Sequence, residues 1–443
     1  MRVWSHRVAA VLVVGVCAWC ACAYGQGQES SQVSSQPHAA LFNPDPEHVS
    51  NQLYRQVHVR SAPDGKEYGF EDLDPLLWPD TKFLRGKDKA DSNAKTLALL
   101  DEFLRTRAEQ QIRGRVKRAI LQRDLWAVFD WANSSNLAEK LGQVIWRLAL
   151  SPAEIESLPD TYEIAVRGKE FPATYDPAQP KRAFLPPDLF DADGPWVCVG
   201  TSDGQLVARA HEFEFSGRSV FTVFVRLPGG RQSTLAYLNQ LANLDIPLMV
   251  RNSVGRLPSL VWNPAVPHFP INTEFALVRK MVLPDQHHNL ALTPVTESIQ
   301  IRHYREIPPG TLRYADLSKR SQSISEIKLD RARLFEGNQS GLRGVTLEDK
   351  EFPVFMSHGE DPFENNELAW LPFPSLETCT GCHLGPGIQS MMSFSFRGGG
   401  HNPRLAEITP ADEAAKVISW KQMQRDWERL VQFSSAGGIV EPR

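Results

Sequence analysis

Disulfide-forming cysteine is scarce in this chain. There are 6 cysteines in 443 residues, and three of them, Cys17, Cys20 and Cys22, crowd into an apolar N-terminal stretch. Without that stretch only Cys198, Cys379 and Cys382 remain, an odd number, and no disulfide framework is expected. An excess of positive charge is missing as well. The 48 basic and 52 acidic residues leave a formal charge of −4, which argues against a nucleic-acid-binding surface. A mean hydropathy of −0.32 argues against membrane spans beyond the N-terminus. No internal repeat, Gly-x-Ser-x-Gly, P-loop or His-Glu-x-x-His occurs, which removes the commoner hydrolase and nucleotide readings.

What is present begins with a basic n-region, Arg2, His6 and Arg7, followed by an apolar run from Val8 to Ala23 that closes on Ala21-Cys22-Ala23. This reads as a secretory signal peptide over residues 1–23, with a small-x-small cleavage site. A periplasmic or secreted protein is therefore expected. An uncleaved N-terminal segment is the alternative, and the only membrane association expected. A lipoprotein fits less well, because Trp19 stands where a lipobox wants Leu or Val.

The rest of the chain reads as an α+β protein with material for two or three cores. Residues 24–51, rich in Gln, Ser and Pro, are expected to be a disordered tether. The Pro- and Asp-punctuated stretch through Asp80 reads as loop. A helical region spans 52–168, its apolar positions recurring at helical spacing: Leu97, Leu100, Phe103 and Leu104, then Val116, Ala119 and Ile120, then Leu137, Leu141, Val144, Ile145 and Leu148. Ser151-Pro152-Ala153-Glu154 has the form of a helix start.

Residues 169–345 are expected to form a mostly antiparallel β domain. Its strands are read at Val197–Val199, Leu206–Phe215, Ser219–Leu227, Thr273–Lys280 and Glu297–Tyr304, with a helix near Ser233–Leu241. His211 and His303 fall on expected strands, where a lone histidine is usually packed or solvated, and His287-His288 read as a surface loop. Gly229-Gly230-Arg231 reads as a strand-to-helix turn, with anion binding as the sharper alternative. Seven basic residues between Arg105 and Arg123 read as a solvated helix face, or as a docking patch for an acidic redox partner or haem propionates. In residues 346–443, Thr409-Pro410 should start one amphipathic helix carrying Val417, Trp420, Met423, Trp427 and Leu430.

The most specific signal lies in that last region: Cys379-Thr380-Gly381-Cys382-His383. Two thiols on one turn can add to the two vinyl groups of a porphyrin, and the adjacent imidazole can bind its iron. A bare Cys-x-x-Cys could also be a redox dithiol, or half of a zinc site for which no second ligand pair exists. At these five positions the chain resembles c-type cytochromes. The resemblance implies one covalent haem c on Cys379 and Cys382, with His383 as the iron ligand, and export to where such haem is attached.

It covers the motif only, since the Pro-rich approach to Cys379 differs from the N-terminal helix of small cytochromes c. The sixth iron ligand stays open among Met391, Met392, His401, Met356 and His358. The expected function is a monohaem c-type cytochrome-like protein that transfers electrons to a redox partner protein. The alternatives are a haem enzyme or sensor with an open distal site for peroxide or another small molecule, and a haem-free exported binding protein. Whether it is an enzyme is left open.

Overall fold

The computed structural model describes residues 40–61, 67–70, 89–132, 135–252, 259–307, 321–351, 373–374, 376, 383, 385–392 and 404–434. The expected signal segment lies outside the described residues. The fold is α+β: a helical layer covers one face of a seven-stranded antiparallel sheet.

The layer begins earlier than the sequence reading placed it. Residues 40–51, read as the end of a tether, lie against the helices, with Leu41 and Phe42 buried. The Asn51 side chain holds this turn, accepting from Phe42 N–H at 2.9 Å and donating to the carbonyls of Asn43 at 2.8 Å and Asp45 at 2.7 Å. It leads into α1 (Val49–His58) inside the stretch read as loop. Val49, Leu53, Tyr54 and Val57 are spaced to bury one face of α1, a short period that neighbouring prolines and aspartates obscured.

Then follow α2 (Lys89–Thr106), α3 (Arg115–Trp131), α4 (Ser135–Leu148), α5 (Pro152–Glu156) and α6 (Thr161–Gly168). Ser151 and Glu154 form a reciprocal capping box at the start of α5.

The sheet strands are β1 (Val197–Thr201), β2 (Ser219–Arg226), β3 (Glu274–Pro284), β4 (Leu290–Tyr304), β5 (Gln322–Leu329), β6 (Leu342–Gly344) and β7 (Leu405–Glu407). Their spatial order is β6-β5-β4-β3-β2-β1-β7. The β7 edge comes from the C-terminal region, so that region completes the sheet. Strand β2 is buried on both faces, which is why its sequence is almost continuously apolar. Val220 and Phe224 meet the helical layer, whereas Val223 and Val225 meet a second core. That second core includes α8 (Gly230–Ala242) and α10 (Ile388–Met391).

Two expectations change. Leu206–Phe215 is not a strand: it contains a short helix, α7 (Arg209–Glu214). Its buried positions Ala208 and Glu212 are four residues apart, so one side of a helical turn is covered. The C-terminal amphipathic stripe is carried by two helices, α11 (Pro410–Gln422) and α12 (Arg425–Gln432), that break at Met423-Gln424. Met423 consequently turns to solvent, at 76% exposure. Thr409 caps α11 as expected, its side chain accepting from Asp412 N–H. Trp427 and Leu430 bury into the helical layer, and the Trp146 indole donates to the Leu430 carbonyl at 2.9 Å. A further short helix, α9 (Arg331–Glu336), follows β5.

No helix among the described residues is long and apolar enough to cross a membrane.

Candidate functional site

Strand register brings a polar group onto the sheet face opposite the helical layer. Arg302 stands beside Phe275 and Ile324, Tyr304 lies opposite Gln322, and Phe221 lies opposite Arg279. Directly opposed residues share a face, so all of these point the same way. Onto this face fold α7, α10 and the described flanks of the Cys-x-x-Cys motif. Leu376, upstream of it, joins Ile324 and Val345 in a small apolar cluster. Downstream, the Gln322 side-chain amide donates to the His383 carbonyl at 2.9 Å. Both flanks are thus tied to β5. Cys379 and Cys382 themselves lie outside the described residues, as do Met356, His358 and His401.

His383 is held more closely than a surface histidine needs to be. Its Nδ1 lies 2.6 Å from the carbonyl oxygen of Ser390. A carbonyl can only accept, so Nδ1 carries the proton and the neutral ring keeps its lone pair on Nε2. The Ser390 hydroxyl donates to the His383 carbonyl at 2.9 Å. Having spent its one proton there, it accepts from the Tyr304 phenol, 2.9 Å away. Tyr304 in turn hydrogen-bonds Arg302.

Ser390 thus orients ring and backbone together. Gly387 makes this possible: its φ is +49°, and a Cβ there would meet His268 Nδ1 at 2.5 Å.

The structure also brings in His211. Its ring centroid lies 6.3 Å from that of His383, with the planes 18° apart, and its ring lies tilted against that of Phe221 at 5.2 Å between centroids. Both histidines are half-buried by surface area, but the protein atoms around them govern their titration. Burial, with the Arg302 and Arg279 cations nearby, pushes His211 down to about 3. Burial, Arg302 and His211 hold His383 well below the ordinary histidine value, against the opposing hydrogen bond to Ser390. Two neutral imidazoles result, the state in which histidine binds a metal.

Arg302 is 6% exposed. Its partners are neutral: the Gln300 side-chain oxygen at 2.9 Å and the Tyr304 phenol. Among the described residues no carboxylate pairs with it. A buried cation without a counter-charge is costly, and an anionic ligand edge would relieve that cost. A fixed imidazole, a second imidazole facing it and a buried guanidinium fit a haem with its iron and propionates.

Among the described residues no group of three or more His, Cys, Asp or Glu side chains could hold a metal ion. That set leaves out both motif cysteines.

The remaining candidates serve the fold. Arg231 pairs with Glu407 on β7 and donates to the Gly194 and Trp196 carbonyls at 3.3 and 3.2 Å, so it clamps the sheet edge and is not open to an outside anion. In the basic run, Arg105, Arg107, Arg113 and Arg115 are exposed, while Arg123 is buried against Glu297 at 3.2 Å. His303 stacks on Tyr175 at 3.9 Å, and His288 packs edge-on against Trp146 at 4.7 Å. Cys198 is a free thiol that burial pushes up to about 12. Met391 and Met392 pack into the second core. His211 and Arg302 are the site residues the sequence reading passed over, because nothing local in either segment points to residue 383.

Comparison with known proteins found no matching family model, no matching curated protein and no matching solved structure.

Proposed function

We propose that this chain is an exported c-type haem protein. It holds one haem covalently through Cys379 and Cys382, takes His383 as an axial iron ligand, and transfers electrons to a redox partner protein in the periplasm or outside the cell. The observation that carries the reading is the His383 Nδ1 hydrogen bond to the Ser390 carbonyl. It leaves Nε2 as the metal-binding nitrogen in the residue next to the paired cysteines, an arrangement typical of metal-bound histidine.

Bound haem would supply a one-electron couple. The chain's own residues do the rest. Ser390 and Gln322 fix the ring and its backbone, Phe221 packs against His211, and Arg302 offers a charge to an acidic edge.

The test is to purify the protein from a host that attaches c-type haem. A reduced c-type α band and a mass raised by one haem are expected. Colourless protein in which Cys379 and Cys382 both titrate as free thiols would refute the reading.

A further inference from the structure

We infer that His211 is the second axial ligand, so that the iron sits between two imidazoles contributed by distant parts of the chain. This rests on the haem reading above and answers what that reading leaves open, the residue opposite His383.

The geometry argues for it first. Metal–imidazole bonds of about 2.0–2.1 Å on each side, plus about 1 Å from each nitrogen to its ring centre, separate two rings sharing one metal by about 6 Å. The observed separation is 6.3 Å, with near-parallel planes. Among the described residues, two other near-parallel ring pairs that include a histidine are closer: Tyr175 and His303 at 3.9 Å, and Tyr54 and His58 at 5.0 Å. The His211–His383 rings stand further apart than either of these pairs.

His211 is also presented by a fixed support. The next residue, Glu212, is fully buried, and its carboxylate accepts the Phe221 N–H at 2.7 Å, pinning α7 to β2. Behind α7 the chain turns at Gly217, whose φ is +64° and whose N–H donates to the Glu212 carbonyl at 2.9 Å. A Cβ at Gly217 would meet Lys421 and Trp420 of α11 at 3.0 Å, so the turn is tight against the body. The helix therefore has little freedom to carry the imidazole away.

The thioethers closest in sequence to the motif are otherwise engaged. Met392 is 4% exposed and lies in the second core with Val197, Leu227 and Phe275, and Met391 packs against the same core. Two imidazoles give a low-spin, six-coordinate iron whose potential lies below that of a His/Met pair. The site then suits electron transfer and leaves no open position for a small molecule.

The experiment uses full-length, haem-loaded protein. Wild-type ferric protein should show a low-spin bis-imidazole electron paramagnetic resonance signal without the sulfur-to-iron charge-transfer band of methionine ligation. Its ferrous form should resist carbon monoxide. H211A should keep its covalent haem by mass but lose the low-spin signal and gain carbon monoxide binding, and added imidazole should restore the wild-type spectrum. H211M should gain the sulfur band and a raised potential.

A sulfur band in the wild type, or unchanged ligation in haem-loaded H211A, overturns the assignment to His211 while leaving the haem in place. Absence of haem from the wild type overturns the parent reading instead. If H211A does not accumulate, H358A and H401A decide: retained low-spin signals in both support His211, and loss in either overturns it.

Discussion

Arg331 on α9 and Arg302 on β4 are almost equally buried, at 0% and 6% exposure, yet they are treated oppositely. Arg331 meets Asp124 through two hydrogen bonds of 2.8 and 3.2 Å. It also donates to the Phe70 carbonyl at 2.6 Å and lies over the Tyr54 ring at 4.8 Å. Its charge is balanced within the chain. Arg302 has an amide oxygen and a phenol for company, with two neutral imidazoles nearby. On the side facing the Cys-x-x-Cys motif, Arg302 has no carboxylate partner among the described residues. Among the described residues one buried guanidinium is paired with a carboxylate and the other is not.

The largest test of this contrast is Arg331→Met, which leaves the Asp124 carboxylate buried without its cation. Removing one partner of a buried pair costs about 3–5 kcal/mol, and a urea melt should lose that much. Arg302→Met, measured on haem-free chain, should cost less than about 1 kcal/mol or stabilise it, since a buried charge without a carboxylate partner among the described residues leaves the interior. Equal losses in the two variants would break the comparison. In haem-loaded protein Arg302→Gln should lower the midpoint potential, because the cation favours the reduced iron; an unchanged potential would place the guanidinium away from the haem.

A smaller effect should appear in the pH dependence. His211 and His383 are both depressed in the folded chain, so the native state binds fewer protons than the unfolded one below the ordinary histidine value. Their contribution to stability is complete above about pH 6.5 and declines as pH falls, by up to about 1.4 kcal/mol per pH unit for each ring. For His211 the decline continues to about pH 3. The difference between wild-type and His211→Gln haem-free chains in urea melts at pH 7, 6 and 5 isolates one ring. A difference that does not change with pH would mean that the pocket tolerates imidazolium.

The smallest effect is expected from Ser390→Ala. It removes the hydroxyl joining Tyr304 to the His383 carbonyl but keeps the backbone oxygen that holds Nδ1, and should cost about 1 kcal/mol in a thermal or urea melt. A much larger loss would mean that the hydroxyl organises more of the site than its two hydrogen bonds.

Much of the architecture was legible where short-range physics governs. The apolar run of β2, the alternation in β4, the capping box at Ser151 and Glu154, and the Thr409 cap all follow from neighbours within a few residues. The stretch around His211 misled because Val207, Phe213 and Phe215 resemble a strand, while burial by β2 and α11 selects a helix. The break at Met423 was invisible for a related reason. An apolar stripe continues across it, but α12 must turn to put Trp427 between Trp126 and Trp146, at 6.3 and 6.1 Å.

By itself the sequence determined the element types, the helix starts and the spacing of two thiols beside an imidazole, since these depend on groups only a few bonds apart. Only the tertiary structure decided which carbonyl orients His383, which imidazole lies beside it and which arginine is buried without a carboxylate partner among the described residues. Each depends on segments that the register of the sheet brings together across long stretches of chain, and no local pattern carries that information.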